Sequence, residues 1–515
     1  MSSYDNYSYK KSRQELKSTL PQIPNTPLSE RLHENEQLLR SRFSYCSDVI
    51  YRSVTLQEGQ DVLLIFIDGL VDKQIIDEAI LKPLLELEHR NNKSAGQKIR
   101  EERFALAQTK LVYTLREAIQ AILSSSVIIL TDGDKAAMAA AIDGAKTRSI
   151  SEPESEVVIR GPREGFTESL RVNTSMTRRK IKSDGLKMES YILGEMTLTE
   201  VAVSYISGIA QESVINEVRC RLKQICTDSI LESGYIEEFI QEDKFSPFPT
   251  VQNTERPDIV AASLLEGKVA IFTDGTPFVL IVPFTFWTGL QSAEDYYNPS
   301  LYSSVVRFIR IVFIFISLFL PSIFVAIVNF HSQMIPTSLA LNFSVSRENS
   351  PFPTVIETII MEILFEGLRE AEIRLPKQIG SAMSIVGALV IGQSAVQAGI
   401  VSAPIVIVVA GTGIASFTIA RLNLSHPLRM LRFVLLIFAG TLGLYGVALV
   451  TLVILLHITS LQSFGVPYFS PIAPLSILEL KDALWRAPRW DLSFRPKSYV
   501  KQNKLRTPKG QKKGS

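Results

Sequence analysis

Apolar and polar positions follow two different rules along this chain. Up to about residue 265 they alternate in short bursts; beyond Phe308 they run in long uncharged blocks. In the first part, "DVLLIFIDGLVDKQIIDEAILKPLLEL" reads as a strand, a turn at Asp68-Gly69 and an amphipathic helix. "SSSVIILTDGDKAAMAAAI" repeats the strand and turns at Asp132-Gly133, and "KVAIFTDGTPFVLIV" does so again at Asp274-Gly275. An apolar run followed by Asp-Gly is a hairpin or turn signal. The three aspartates could also hold a metal or a phosphate, but turn geometry accounts for them without a ligand. "SEVVIRGPREGFTESLRVNTSMTRRKIK" and the sequence after it continue the mixed pattern. Its arginines Arg160, Arg163, Arg171, Arg178 and Arg179 could face a phosphate or another subunit.

In the second part the pattern changes to blocks of membrane length, about 20 apolar residues in a helix. Spans are expected at about 308–330, 380–401, 403–421 and 432–458. The second and third are rich in small residues. Ser384, Ala388 and Gly392, then Gly411 and Ala415, repeat at four-residue spacing, which suits close helix packing in lipid. Lys268–Trp287 is apolar enough for a span, but Asp274-Gly275 makes it a hairpin near the membrane. The expected division is a flexible polar lead (1–45), a soluble α/β domain (46–265), a membrane-proximal β-hairpin segment (266–300), an α-helical multipass membrane domain (301–460) and a basic tail (461–515).

One segment of the membrane half is acidic. At 100° per residue over 354–374, Glu362, Glu366 and Glu370 share a stripe, and Ile356, Ile360, Leu364 and Leu368 cover the other side. Like charges at this spacing repel, so the stripe should face water or cations. Two arrangements satisfy that: a helix lying on the bilayer surface, or a helix lining an aqueous pore, where several copies would form rings of carboxylates. The segment is introduced by "SPFPT" (Ser350–Thr354), a phrase that also occurs at Ser246–Thr250. Its prolines fix φ and hold the preceding residues extended, so each copy is a stiff lead-in that cannot continue a helix. Thr250 and Thr354 are candidate N-caps. Pro351 and Pro353 are therefore candidate coupling residues.

Composition adds little to this picture and excludes several classes. The formal net charge is +2, so no global charge argues for nucleic acid. From Lys481 to the end the chain has eleven Lys or Arg against two Asp. By the positive-inside rule that tail belongs on the cytoplasmic side. No apolar h-region follows Met1, so the N-terminal part belongs there too. An even number of crossings follows; four satisfy it and six would as well. "RLNLSHPLRMLR", with Arg421, Arg429 and Arg432, then faces outward, and nothing in the sequence explains it. Cys46, Cys220 and Cys226 have no metal-ligand spacing and the five histidines are scattered. No metal, cofactor or catalytic residue is expected, nor a Walker or dinucleotide loop.

"RGPREGFTESL", "NTSMTRRKIK", "SPFPT…ERPD", "LQSAEDYY", "PFPTVIETIIMEILFEGLREAEIRLP" and "SIVGALVIGQSAVQAG", in this order, resemble the A subunits of GerA-type spore germination receptors. The resemblance runs from about residue 45 to about 490. Glu372 and the glycine-rich "VVAGTGIASF" depart from the pattern. It implies a multipass protein of the inner membrane of a bacterial endospore, acting with a transporter-like B subunit and a lipoprotein C subunit in nutrient sensing. It also implies a homo-oligomer that forms the ion-conducting part, which favours the pore for Glu362, Glu366 and Glu370, with Ile356 and Ile360 as an apolar constriction. A secondary transporter and a non-conducting scaffold are the alternatives.

Overall fold

A computed structural model describes residues 23–56, 60–85, 108–142, 144, 152–153, 155–348, 350–374, 392–500 and 503–507. The α/β half is built from two units of the same plan. The first contains helix α1 (Leu32–Arg42), strands β1 (Val49–Thr55), β2 (Asp61–Ile67) and β3 (Thr109–Val112), helix α2 (Leu115–Ile122), and strands β4 (Ser126–Thr131) and β5 (Ala137–Ala141). Its strands lie in the order β1-β2-β4-β5-β3, with every neighbouring pair antiparallel. β2 is apolar from Val62 to Ile67 because the sheet is covered on both faces. Leu63, Ile65 and Ile67 meet Leu39 and the α2 face, while Val62, Leu64 and Phe66 meet Ile76, Ile80 and Leu84. α2 buries Leu115, Ala118, Ile119 and Ile122, one stripe at helical spacing.

The second unit contains α3 (Leu170–Lys180), β6 (Leu186–Leu193), β7 (Thr199–Ile206), α4 (Glu212–Gln224), α5 (Ser233–Ile240), β8 (Gln252–Thr254), α6 (Pro257–Glu266), β9 (Val269–Thr273) and β10 (Val279–Val282). Its strand order, β6-β7-β9-β10-β8, is the first order moved on by five. The correspondence extends to single hydrogen bonds. Ser29 N–H donates to Asn35 Oδ1, as Thr167 N–H does to Asn173 Oδ1, both at 2.8 Å. Asp132 Oδ1 accepts from Leu32 N–H at 3.0 Å, and Asp274 Oδ1 from Leu170 N–H at 2.9 Å. In both turns the next residue is a glycine with positive φ, +83° at Gly133 and +86° at Gly275. These aspartates therefore cap the first helix of each unit, and Asp68 pairs with Lys73 at 2.9 Å.

The hairpin expected at 266–300 is present as β9 and β10, but as inner strands of the second sheet. The α/β half thus extends through Val282, past the expected boundary at 265. The two units are locked by a buried fork: Arg178 donates from Nε and Nη2 to the two carboxylate oxygens of Asp48 at 2.7 and 2.9 Å.

The helical unit begins with α7 (Ser300–Phe330), followed by α8 (Thr337–Arg347), α9 (Thr354–Arg374), α10 (Ala403–Phe417) and α11 (Leu422–Ser460). By length and composition Ser300–Phe330 and Asn423–Ser460 can cross a membrane, and Ala403–Phe417 is apolar but shorter. Part of the expected 380–401 span, residues 380–391, lies outside the described residues, as do Ser384 and Ala388.

α11 is not straight. A continuous helix of 39 residues would be about 58 Å long. Yet Arg421, before its start, stands 3.4 Å from Glu156 and lines one cavity with Gln252, while His457, near its end, lies 2.9 Å from Ser246 Oγ. Residues 246 and 252 can be no more than about 20 Å apart along the chain. The chain reverses at Gly443, whose φ of +64° and ψ of −145° interrupt the helix. A Cβ on Gly446 would collide with the Phe438 carbonyl, so the two limbs pack closely. Gly443 also abuts Phe330 at the far end of α7.

The tail packs back onto the second unit. It carries α12 (Ile477–Ala483); Arg495 donates to the Leu265 carbonyl at 2.7 Å and Arg506 pairs with Glu266 at 2.8 Å.

Asp48→Ala leaves the Arg178 guanidinium buried without its carboxylate, a loss of about 3–5 kcal/mol. The melting temperature of the full chain in detergent should fall by several degrees, whereas Asp77→Ala, which removes an exposed partner of Arg52, should leave it nearly unchanged.

Candidate functional site

α9 is the one described helix of the helical unit that places glutamates among apolar neighbours, and its contacts fix its direction. At its start, Thr354 Oγ1 donates to Asn329 Oδ1 at 2.9 Å, near the end of α7. Val355 packs on Gly440, where a Cβ would stand 2.5 Å from it. One turn on, buried Glu357 accepts from Ser402 N–H at 2.9 Å and from its hydroxyl at 3.1 Å, at the start of α10. Toward its end Arg369 lies over the Phe417 ring at 4.9 Å and donates to Ser416 Oγ at 3.3 Å, at the end of α10. α9 therefore runs from the end where Phe330 and Gly443 meet back toward the α/β half. α10 runs the same way, α7 and the first limb of α11 the opposite way.

The expected site residues separate into three groups. Glu362 and Arg432 are both essentially inaccessible, with Glu362 Oε2 at 2.5 Å from Arg432 Nη1. Glu366 pairs with Arg429 at 2.6 Å and is mostly buried. Glu370 pairs with Arg374 of its own helix at 2.7 Å, and both are exposed. The acidic stripe thus meets the first limb of α11 rather than open solvent in the single chain. The face left uncovered is apolar: Ile356 is 44% exposed, Ile363 56% and Leu364 38%, with Ile360 half-buried.

Arg429 and Arg432 belong to the run that had no place in the sequence reading. The reversal at Gly443 brings this run to the end beside the α/β half, where Arg421 meets Glu156. The signal was in the sequence: two carboxylates four residues apart and two guanidiniums three apart offer matching rungs on adjacent helices.

The proline phrases occupy opposite ends of the helical unit. At the first, Ser246 Oγ meets His457 and Phe248 packs on Tyr468 at 6.3 Å between centroids. It leads into strand β8, so Thr250 caps no helix; its carbonyl accepts from Ser463 Oγ at 2.6 Å. At the second, the Pro353 carbonyl accepts from Glu357 N–H at 3.1 Å and so opens α9. Pro351 and Pro353 are exposed. Thr354 spends its hydroxyl on Asn329 rather than on a cap.

The arginines of the α/β half do not converge. Arg178 is buried on Asp48, Arg171 pairs with Glu200 at 3.2 Å and Arg163 with Glu152 at 3.0 Å. Among the described residues no three of His, Cys, Asp and Glu gather as metal ligands.

The family model described as Bacillus/Clostridium GerA spore germination protein matches residues 37–498, so the chain belongs to that family. It is 45% identical to spore germination protein KA of Bacillus subtilis (strain 168), over 94% of this chain and 90% of that one. It is 37% identical to spore germination protein A1 of the same organism, over 94% and 98%, and 45% identical to the membrane protein YfkQ, over 93% of each. A solved structure, the N-terminal domain of the A subunit of the Bacillus megaterium spore germinant receptor GerK3, is 34% identical with a TM-score of 0.42, covering 51% of this chain and 99% of that one.

Arg432→Ala should destabilise the chain by about 3–5 kcal/mol by stranding Glu362 in the interior. Replacing the pair together, Glu362→Gln with Arg432→Met, should recover most of that loss. Glu370→Gln, at an exposed pair, should change stability by less than about 0.5 kcal/mol. Thermal unfolding in detergent measures all three.

Proposed function

We propose that this chain is the A subunit of a nutrient-responsive germination receptor of the spore inner membrane. It would work with a transporter-like B subunit and a lipoprotein C subunit, and α9 of several copies would form its conducting path. The observation that carries the reading is the buried Glu362–Arg432 pair, flanked by Glu366–Arg429, between two helices of the apolar unit. Ionisable groups among lipid-embedded helices are expensive and concentrate at functional places. Here their charges are neutralised. A closed pore would be sealed by Ile356 and Ile360 on the uncovered face, since an apolar constriction excludes water and ions without a plug. Glu370 would stand at the mouth beside the α/β half. Opening would turn α9 so that Glu362 and Glu366, held against α11 in the closed state, come into contact with permeating cations. Pro351 and Pro353 would transmit displacement stiffly to the start of α9.

Six crossings would fit: α7, α9, α10 and the two limbs of α11 among the described residues, with the chain returning between Arg374, beside the α/β half, and Ser402, which meets Glu357 near the start of α9. Both termini, Arg421, Arg429, Arg432 and the basic tail then share one side, as the positive-inside rule requires.

A second reading also has support. The uncovered face of α9 is apolar, as a helix facing only lipid would be, and a non-conducting scaffold of the receptor fits that. Planar-bilayer recording of the purified chain separates the two. Conductance whose cation preference weakens in Glu366→Gln supports the pore; absence of conductance leaves the scaffold. Pro351→Gly with Pro353→Gly should reduce nutrient-triggered ion release at normal receptor abundance. Side-specific labelling checks the crossings. The exposed thiols Cys220 and Cys226 should react with an impermeant maleimide from the cytoplasmic side alone. In a chain lacking the native cysteines, Ser338→Cys on α8 should react from the other side.

A further inference from the structure

Two segments from distant parts of the chain meet around the foot of α7, and both present apolar side chains to the outside. The short helical turn Glu294–Tyr297, just before α7, holds them. On one side Ile159 N–H donates to Glu294 Oε1. On the other, Arg486 donates from Nη2 to the Tyr296 carbonyl at 3.3 Å and from its backbone N–H to Ser304 Oγ, on the first turn of α7, at 3.2 Å. The first segment carries Val157 and Ile159; the second, which includes α12, carries Ile477, Trp485 and Trp490. All are exposed, Ile159 to 90% and Ile477 to 72%. A cluster of large apolar side chains at a surface marks an interaction site.

Their level on α7 says what covers them. Arg310 is the last charged residue of that helix, and Ile311 to Phe330 carry no charge. Ser304 lies two turns before Ile311, about 10 Å along the helix axis. The headgroup layer of a bilayer is roughly 5–8 Å deep on each side. Arg486, bound to Ser304, therefore holds Trp485 within a side chain's reach of the headgroups. The residue types agree, because tryptophan combines an apolar body with a polar N–H and collects at the membrane–water boundary. Charge agrees as well. Arg160 and Arg489 stand exposed beside the apolar groups. The acids around them are engaged: Asp491 with Lys481 at 3.2 Å, Glu152 with Arg163 at 3.0 Å, and Glu294 with Ile159 N–H.

We propose that residues 157–160 and 477–490 form a collar that lies in the lipid–water boundary and binds anionic headgroups. Ile159, Ile477, Trp485 and Trp490 enter the top of the acyl layer, and Arg160 and Arg489 meet lipid phosphates. The proposal rests on α7 crossing a bilayer and is independent of whether α9 conducts. It places the second α/β unit and the returning tail flat against the membrane, at the point where Arg307 and Arg310 share Asp295.

The test is tryptophan quenching in the full chain, reconstituted in vesicles of phosphatidylcholine and phosphatidylglycerol. Its tryptophans are buried Trp287 and the exposed Trp485 and Trp490. In chains that keep only Trp485 or only Trp490, with the others changed to Phe, lipid brominated high on its acyl chains should quench strongly and aqueous iodide weakly. Ile159→Trp in a chain without native tryptophan should behave alike. Ile323→Trp, exposed midway along α7, should instead respond most to lipid brominated near the chain ends. At Trp490, brominated phosphatidylglycerol should quench at least about twofold more than brominated phosphatidylcholine at equal fraction, since one basic residue favours an anionic surface about fivefold. Arg489→Gln should remove most of that excess. Should the tryptophan-depleted chains not fold, the native chain decides, because buried Trp287 is shielded and Trp485 and Trp490 carry the signal. Iodide quenching without lipid quenching at the collar, while Ile323→Trp still reports the chain ends, overturns the proposal and leaves the crossing in place. Loss of lipid quenching at Ile323→Trp as well overturns both. Shielding of the collar from both quenchers means that protein covers it, a second copy or a partner, and also overturns the proposal, as does equal quenching by the two lipids.

Discussion

A carboxylate and a guanidinium, each closed off from solvent, meet between Glu362 and Arg432, and the way α9 sits on α11 depends on that contact. Each ion alone in an apolar interior would cost several kcal/mol; together, at 2.5 Å, they offset one another. The pair holds α9 against the first limb of α11, and Glu366–Arg429 repeats the contact nearer the α/β half. It requires that the arginine run lie at the depth where α9 carries its acids. The chain achieves this by turning back at Gly443, so that one continuous apolar run becomes two antiparallel limbs. Without the turn, the run's end could not reach Ser246 while its start sits on Glu156.

The near end of the bundle is fastened to the α/β half at several places. Arg307 and Arg310 share buried Asp295 at the foot of α7. Arg421 meets Glu156, His457 meets Ser246, and the tail is tied down through Arg495 and Arg506. All of these anchors fall on the second of the duplicated units or on its approaches. The first unit is held to the second through Arg178 and Asp48. The two units thus share one sheet plan, and these anchors to the helical unit all fall on the second of them.

Much of this was legible from residue order. The apolar blocks, the Asp-Gly turns and the hairpin at 269–282 follow from periodicity and turn chemistry. The correspondence of the two units was not visible as a long repeated string, because what they share most closely is a set of caps. "SERLHEN" and "TESLRVN" share only Glu, Leu and Asn, yet Asn35 and Asn173 make the same bond, and Asp132 and Asp274 cap the corresponding helices. The reversal in α11 was hidden because small residues are common in long apolar helices, so Gly443 did not stand out from its neighbours. The face of α9 was assigned from the rule for water, where charge points outward. Against the apolar helices of this unit the charged groups turn inward to partners, and apolar Ile356 and Ile363 point out. A helical wheel shows two faces but does not say which one meets protein.

The contacts along α9 are unevenly strong, and that decides which part of it can move. Its start is held by Thr354 on Asn329, by Glu357 on Ser402 and by Val355 on a glycine that leaves no space. From Glu362 onward it has one fully buried ion pair, one partly buried pair and the Arg369 contacts. Its last acid, Glu370, is paired within the helix and so ties it to nothing else. The stiff proline phrase enters at the firmly held end. A displacement delivered there would be carried along the helix rather than absorbed at its start. It would be felt where the restraints thin out, beside the α/β half. The Glu366–Arg429 pair stands at that transition, with about a fifth of each side chain accessible, while Glu362–Arg432 one turn deeper has none. Water reaching the outer pair would weaken it first, since screening acts on the exposed member of a ladder before the buried one.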